Sequence, residues 1–409
     1  MTPALAIDFG TSNTAAAILK DGTPHILRVE EDNETLPTAV FLDFTQRQTL
    51  YGQAAVDALI DGREGRFMRA LKSVLGTSLM HEKRQFFQER LTLIEVTARF
   101  IAELKRRAEV QTGHHFDQVL SGRPVRFHSS DEARNARAED DLRSCYQEAG
   151  FADVEFLPEP EAAARANAAN APKDGIGLVV DIGGGTSDYT VFKKNGAGIN
   201  VLANHGIRLG GTDFDKALSL SHAMPLFGRG ALIRAEFGDA TNAAPQAMFN
   251  DLAAWEKIPF LYDGATLRDV KRMKKRAVEP EKFERLCEIL EMHLGHDVAF
   301  AVEDAKVSGN QFDTSIDLSM VEPGLCVPLT RVALSNSIDP FAAKVSHEAL
   351  KAIEMAGFEP EAINQIVMVG GSSLLNSIQE HIVAAIPKAQ IIQGKAFTAI
   401  VEGLALSTA

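Results

Sequence analysis

Residues 178–187 read LVVDIGGGTS, and residues 5–12 read LAIDFGTS. Each is a short apolar run, then an aspartate, then a glycine-containing turn with small hydroxyl residues. Apolar positions resume after each turn, from Ala15 to Leu19 and from Tyr189 to Phe192. That is strand, tight turn, strand: a β-hairpin rather than the strand–turn–helix of a dinucleotide fold. A looser pair repeats the echo. Gln118–Leu120 runs into Ser121-Gly122-Arg123, and Ile366–Val369 runs into Gly370-Gly371-Ser372. The pattern predicts two related halves joined near residues 170–177, NAPKDGIG.

Helices punctuate each half. Ser129 and Ser130 are expected to cap a helix from Asp131 to about Glu148, ended by Gly150. Pro160 suits a first helical position, leading into Glu161-Ala-Ala-Ala-Arg, and Ala162–Ala171 is strong helix-forming sequence. Asp339-Pro340 is expected to open a helix through about Ala356, stopped by Gly357, and Thr398 to Ser407 reads as a terminal helix. The stretches 35–110 and 214–300 do not fit the echo. They read as mostly helical insertions, one in each half.

The chain has 409 residues, 45% hydrophobic and 24% charged, which is ordinary globular composition. At about 150 residues per domain that allows two to three domains. Its net charge of −13 argues against non-specific nucleic-acid binding. An anionic ligand must therefore be met by locally placed cations. Cys145, Cys287 and Cys326 are too scattered for a disulfide framework or a CxxC metal motif, and fit a reducing compartment. The N-terminus has no basic segment of a signal peptide, and no apolar run approaches the roughly 18 residues of a membrane span. The expectation is a soluble cytoplasmic protein.

A glycine-rich hairpin presents backbone N–H groups with no Cβ in the way, which suits an anion. An aspartate at the end of the adjoining strand repels that anion unless a cation lies between them, and Mg²⁺ favours carboxylate, water and phosphate oxygens. One Asp-Gly hairpin alone is an ordinary turn. Two in matching positions, with a third Gly-Gly turn at 370–371, point to a polyphosphate–Mg²⁺ complex held between two halves.

These residues resemble the actin, hexokinase and heat-shock-chaperone ATPase superfamily, and most closely the ATPase domain of the seventy-kilodalton heat-shock chaperones. The resemblance is carried by Ile7-Asp8-Phe9-Gly10-Thr11-Ser12-Asn13-Thr14, by Leu157-Pro158-Glu159-Pro160-Glu161-Ala162 and by Val180-Asp181-Ile182-Gly183-Gly184-Gly185-Thr186-Ser187-Asp188. It continues through Leu209-Gly210-Gly211-Thr212-Asp213-Phe214-Asp215 and Ile366-Val367-Met368-Val369-Gly370-Gly371-Ser372. The fold it implies is α/β: the actin-like ATPase fold, two lobes each with a mixed sheet core and an inserted subdomain. Lobe I is expected at 1–176 with its insertion at 35–110, and lobe II at 177–396 with its insertion at 214–300. Residues 397–409 are expected to form a helix returning toward lobe I.

The resemblance also implies roles. Asp8 and Asp181 would orient Mg²⁺ through water. Gly10, Thr11, Ser12 and Asn13, with Gly183, Gly184, Gly185 and Thr186, would cradle the phosphates of ATP or ADP. Gly210, Gly211, Gly370, Gly371 and Ser372 would complete the nucleotide site. Glu159 would sit near the attacking water. Lys72, in Ala70-Leu71-Lys72-Ser73-Val74-Leu75-Gly76, would touch the γ-phosphate, where a cation stabilises the charge of a loose transition state. The alternative for Lys72 is an ordinary exposed helix lysine. On the adenine side the family's Glu-x-x-Lys motif appears as Glu303-Asp304-Ala305-Lys306. Three departures follow: Val307 and Leu374 stand where the family has arginines, and Phe397 replaces an aspartate of the terminal helix.

Other features have plain readings. His293 and His296 read as a surface pair, His114-His115 as a loop, and Trp255 as packed in the second insertion. Arg268–Arg276, RDVKRMKKR, reads as a solvated helix face rather than a nucleic-acid contact, because no aromatics interleave.

The expected activity is slow ATP hydrolysis coupled to lobe closure, controlling a protein partner, with a co-chaperone or nucleotide exchange factor implied and no nucleic acid or membrane. The chain stops at Ala409, where the family's ATPase domain ends, so the expectation is a motor without the peptide-binding domain. It would then recognise a folded partner through an insertion surface rather than bind unfolded peptide. Two other classes stay open, a small-molecule kinase of the same superfamily and a nucleotide-dependent scaffold or polymer.

Overall fold

In a computed structural model, residues 4–30, 33–128, 131–167, 175–195, 198–236, 239–393, 395 and 398–408 are described. Both expected hairpins form. Leu5–Phe9 pairs antiparallel with Asn13–Lys20, and Ile176–Ile182 pairs antiparallel with Ser187–Asn195. Each hairpin extends by a third antiparallel strand, Thr23–Ile26 in the first and Gly198–Ile207 in the second. On its other side each first strand takes a parallel neighbour. Leu5–Phe9 takes Gln118–Arg123 and then Asp153–Pro158; Ile176–Ile182 takes Ile363–Val369 and then Gln390–Gln393. The sequence echo is thus a repeated topology, three antiparallel strands followed by two parallel ones.

The parallel steps need crossovers, and helices Glu132–Glu148 and Asn376–Ala385 occupy them in the two halves. The segment 168–174 between the halves, and with it the end of the predicted Ala162–Ala171 helix, lies outside the described residues. So do Ser129 and Ser130. The described cap of Glu132–Glu148 is Asp131, whose carboxylate accepts from the Arg134 N–H at 2.9 Å. Gly150, at φ 90°, ends the turn that follows.

Side-chain alternation splits the first sheet's two faces. Leu5, Ile7 and Phe9 join Phe100, Ile101 and Leu104 of helix Leu93–Thr112 in one apolar core. Ala6, Ala15 and Ala17 face a second core built with Ala162, Ala163, Ala164, Val401 and Leu404. Small side chains there let helices Glu159–Asn167 and Ala399–Leu406 approach closely. A Cβ on Gly403 would fall 1.7 Å from the Ala162 carbonyl oxygen. Helix Ala399–Leu406 packs on the first sheet, and helix Glu159–Asn167 packs on Ile176–Ile182 and Ser187–Asn195 of the second.

Two helical expectations are corrected. The first insertion is mixed, not mostly helical. Gln48–Tyr51, Ala39–Asp43 and Gly65–Arg69 form a three-stranded sheet, and Arg84–Phe86 pairs with Glu89–Leu91. All five residues of Ala39–Asp43 are buried, so that strand shows no alternation for a sequence reading to find. The second correction concerns Pro340. The helix runs Arg331–Met355 with Pro340 inside it, rather than opening there. Its start is set earlier, where the Thr330 hydroxyl accepts from the Ala333 N–H at 3.1 Å. Gly357, at φ 79°, follows its end as expected.

The chain divides into two compact units. The first comprises Met1–Gly211, Phe341–Leu374 and Ile378–Ala409 and holds both large sheets. The second comprises Thr212–Pro340 and Leu375–Ser377. It is mainly helical, with Gly264–Arg276, Pro280–Glu291 and Gly295–Gly309 around a core that includes Phe227, Phe249, Trp255 and Phe283. The basic run lies on helix Gly264–Arg276, where Lys271 pairs with Glu291 and Lys274 with Glu284. That is the solvated helix face expected, and its pairing with acids on a neighbouring helix is an addition. His296 departs from the surface reading. It is 2% exposed, with Nε2 3.3 Å from the Trp255 carbonyl, while His293 stacks on Tyr262.

Candidate functional site

Asp8 and Asp181 hold the same place in the two sheets, each the penultimate residue of its hairpin's first strand. Across the hairpin Asp8 faces Ala15, whereas Asp181 faces Asp188. The turns that follow are built from backbone. Gly183 N–H donates to Thr186 O at 3.0 Å, and Gly211 N–H donates to Gly183 O at 2.9 Å. The Ser372 hydroxyl reaches the same Gly183 oxygen at 3.3 Å. So the candidate segments 183–186, 210–211 and 370–372 converge on one carbonyl.

Two glycines are required by this packing. Gly370 has φ 80°, and a Cβ there would lie 2.3 Å from Ile182 O. A Cβ on Gly184 would lie 2.8 Å from Ser12 Oγ and 3.0 Å from Thr11 Cβ. The second contact means that the turns of the two hairpins face each other. The first turn is held from behind by Thr38, whose hydroxyl donates to Gly10 O at 2.9 Å and whose N–H donates to Ser12 O. Thr11 is buried, Ser12 half-buried, and Asn13 exposed.

Lys72 is not an exposed helix lysine. It sits in the short 3-10 turn Leu71–Val74, after Ala70 in the left-handed region at φ 59°. Its ammonium donates to Glu159 Oε1 at 2.6 Å, and both side chains are 7% exposed. Glu159 opens helix Glu159–Asn167, where the aligned peptide dipoles favour a carboxylate.

The electrostatics show what the cluster lacks. Burial, then Glu159, pushes Asp8 up to about 7, with Lys72 opposing. Burial and Glu159 likewise push Asp188 up to about 7, against hydrogen bonds from Thr186 and the Val125 N–H. Asp181 is raised well above the usual carboxylate range by burial and by Glu159, Asp188 and Asp8. Burial works against the Lys72 charge, yet Glu159 and Asp8 hold it above the ordinary lysine value. One ammonium thus faces four carboxylates. Asp188 Oδ2 is also buried with no hydrogen-bond partner.

Such a cluster suits an additional cation. Among the described residues no group of three or more His, Cys, Asp or Glu side chains is placed to ligate a metal directly. A hydrated Mg²⁺ shared between these carboxylates and a bound polyphosphate fits that donor set, because Mg²⁺ keeps several of its waters.

Asp188 belongs to the cluster and was not assigned a role from sequence, although it closes the Gly-Gly-Gly-Thr-Ser-Asp string. Glu303 and Lys306 lie in the second unit. Lys306 is buried in an ion pair with Asp215 Oδ1 at 2.5 Å, and Asp215 Oδ2 lies 3.4 Å from Trp255 Nε1. Glu303 is half-buried, and Val307 is 62% exposed. Phe397 lies outside the described residues.

Comparison with known proteins places the chain in a family. The model of the Hsp70 protein family matches residues 4–318, and the chain belongs to that family. A protein described as a chaperone protein HscA homolog in Bordetella petrii is 28% identical over 386 residues, covering 87% of this chain and 58% of that protein. Another of the same description, in Rickettsia akari, is 29% identical over 230 residues, covering 53% of this chain and 37% of that protein. This chain thus spans little more than half the length of the first of these relatives, and less of the second. The fold is the α/β actin-like ATPase fold of the Hsp70 nucleotide-binding region.

Proposed function

We propose that this chain binds ATP with Mg²⁺ at the facing glycine turns and hydrolyses it slowly to ADP and phosphate. The observation that carries the reading is the buried Lys72–Glu159 pair, set among Asp8, Asp181 and Asp188 beside two matching hairpin turns.

Backbone amides of the Gly10–Asn13 and Gly183–Thr186 turns, other than the Gly183 N–H that closes its own turn on Thr186 O, hold phosphate oxygens, and the Thr11, Ser12 and Thr186 hydroxyls add donors. Bound Mg²⁺ would neutralise phosphate charge as it develops, held through water by Asp8 and Asp181. The Lys72 ammonium, satisfied by Glu159 when no anion is present, is shared with the transferring phosphoryl group. Glu159 then orients the attacking water and accepts its hydrogen bond. Because Lys72 is buried, its charge is poorly screened and acts on a loose transition state at close range.

Residues 1–176 and 177–396 are proposed as the lobes that close over nucleotide, with 397–409 returning to the first. Their closure would control a protein partner, in keeping with the chaperone description of the relatives, and an exchange factor or co-chaperone would set its timing. The described residues include no helix long and apolar enough to cross a membrane, and the three cysteines are unpaired. Both observations are compatible with cytoplasmic residence, which is part of the proposal.

Phosphate release from Mg·ATP, measured with and without a panel of sugars and small acids, tests the reading. Slow release that no acceptor accelerates is expected. Acceptor-dependent ADP formation with a phosphorylated product would make the chain a small-molecule kinase.

A further inference from the structure

We infer that Arg208 is a positioning residue that ties the second phosphate turn to the short turn carrying Lys72, an inference that rests on the nucleotide reading above. Arg208 follows strand Gly198–Ile207 and immediately precedes Leu209-Gly210-Gly211. Its backbone neighbours are fixed to the glycine turn. Leu209 O accepts from the Ser187 hydroxyl at 2.7 Å, and Gly211 N–H donates to Gly183 O at 2.9 Å.

The exposed guanidinium reaches the other way, to the Lys72 turn. Nη2 donates to Ser73 O at 3.1 Å, and Nη1 lies 3.4 Å from His128 Nδ1. His128 is buried, and its Nε2 is 2.8 Å from Leu75 O. A carbonyl only accepts, so Nε2 carries the proton and Nδ1 is left to accept from Arg208. Burial holds the imidazole below the ordinary histidine range, with Arg134 and Arg208 adding to it against the Leu75 hydrogen bond. A neutral ring is what this chain of donors needs.

The turn depends on such ties. It begins after a non-glycine residue in the left-handed region, a conformation that persists only where surrounding contacts impose it. Ser73 O is held by Arg208, Val74 O by the Thr77 hydroxyl at 2.7 Å, and Leu75 O by His128. Gly76 N–H is held by Asp141 at 2.8 Å. Thr77, His128 and Asp141 all belong to the first half, so Arg208 is the tie in this set that comes from the second. A Cβ on Gly185 would lie 3.4 Å from Ser73 Oγ, so the Lys72 turn also rests against the second phosphate turn. A shift of Gly183–Gly185 around bound phosphate is therefore passed to the Lys72 turn through the Arg208 guanidinium as well as through that direct approach. A lysine at 208 would offer a single point charge where the planar fork spans two acceptors.

The test uses Arg208→Ala and Arg208→Lys in the full chain, with single-turnover hydrolysis, ATP affinity and amide hydrogen exchange measured together. Arg208→Ala is expected to slow hydrolysis about 10-fold or more, as small misplacements of a catalytic group do, while affinity stays within about 2-fold. Arg208→Lys should fall between the parent and Arg208→Ala. Exchange of the amides from Ser73 to Thr77 should accelerate in Arg208→Ala, with strand Ile176–Ile182 unchanged. Lys72-dependent hydrolysis that is indifferent to residue 208, or equal losses of rate and affinity, overturns the tie and leaves the nucleotide reading standing. A parent with no Lys72-dependent hydrolysis overturns the nucleotide reading and the positioning role with it.

Discussion

The Lys72 ammonium and the Glu159 carboxylate meet at 2.6 Å, both buried, though they come from a short turn in the first insertion and from the first residue of a helix after the first sheet. Removing one partner leaves a buried charge uncompensated, so the pair is a structural commitment as well as a chemical one. Lys72→Ala is expected to lower single-turnover ATP hydrolysis by about 10²-fold or more, with ATP affinity changing only a few-fold. Quench-flow rates beside equilibrium binding check this. Equal losses in both would make Lys72 a binding residue.

The carboxylates give a pH dependence whose sign is fixed. Asp8 and Asp188 lie near 7 in the folded chain against 3.8 for the ordinary group. The folded state thus holds protons that the unfolded state releases. Their contribution is fully present below about 3.8 and is lost as pH rises through about 7. Nucleotide-free and Mg²⁺-free protein should melt at a lower temperature at pH 8 than at pH 5.5. Asp188→Asn should flatten that difference. A melting temperature that rises across the window in the parent contradicts it.

The resemblance to the Hsp70 ATPase domain implies arginines where this chain has Val307 and Leu374. ATP affinity is expected to be modest and discrimination against GTP poor. Val307 is 62% exposed, so an arginine there disturbs no core. Val307→Arg should tighten ATP by roughly 0.5–2 kcal/mol through stacking on the base. Competition titrations with ATP and GTP measure both effects, and a parent that already excludes GTP would contradict the expectation.

Gly403 offers a test of the fold itself. Its missing Cβ is what lets helix Ala399–Leu406 pass the Ala162 carbonyl, 1.7 Å from where that carbon would sit. Backbone cannot yield as a flexible side chain does. Gly403→Ala is expected to cost about 3 kcal/mol or more, the upper range for overpacking, while Gly62→Ala meets no atom and carries only the strain of its left-handed φ of 65°, about 1 kcal/mol. Urea unfolding of the two variants compares them.

How much was legible in the sequence depended on whether a local pattern carried the information. The hairpins were, because Asp-Gly turns between apolar runs mark them; the looser pair Gln118–Leu120 and Ile366–Val369 reads as an echo, but its parallel pairing beside the hairpins came only from the structure. The sheet in the first insertion was not, because Ala39–Asp43 is buried on both faces and shows no period. Pro340 misled because proline marks helix starts, yet here Thr330 caps a helix that runs through it. Lys72 stood out through its flanking residues, but its buried partner Glu159 lies 87 residues away and no local pattern marks the pair. Asp188 stood within a quoted motif without a role, since its place opposite Asp181 is a matter of register. Arg208 gave no signal at all, because its partners Ser73 and His128 are distant in sequence.

The central claim is that the two hairpin aspartates hold Mg²⁺ beside bound phosphates. Calorimetric titration of Mg·ATP into the parent, Asp8→Asn and Asp181→Asn measures it most directly. The account predicts that both variants, folded by circular dichroism, bind Mg·ATP at least about 10-fold more weakly, the effect of roughly 1.4 kcal/mol of lost interaction, and lose the dependence of affinity on Mg²⁺. Parent-like binding of Mg·ATP by both variants would contradict the account and move the site elsewhere.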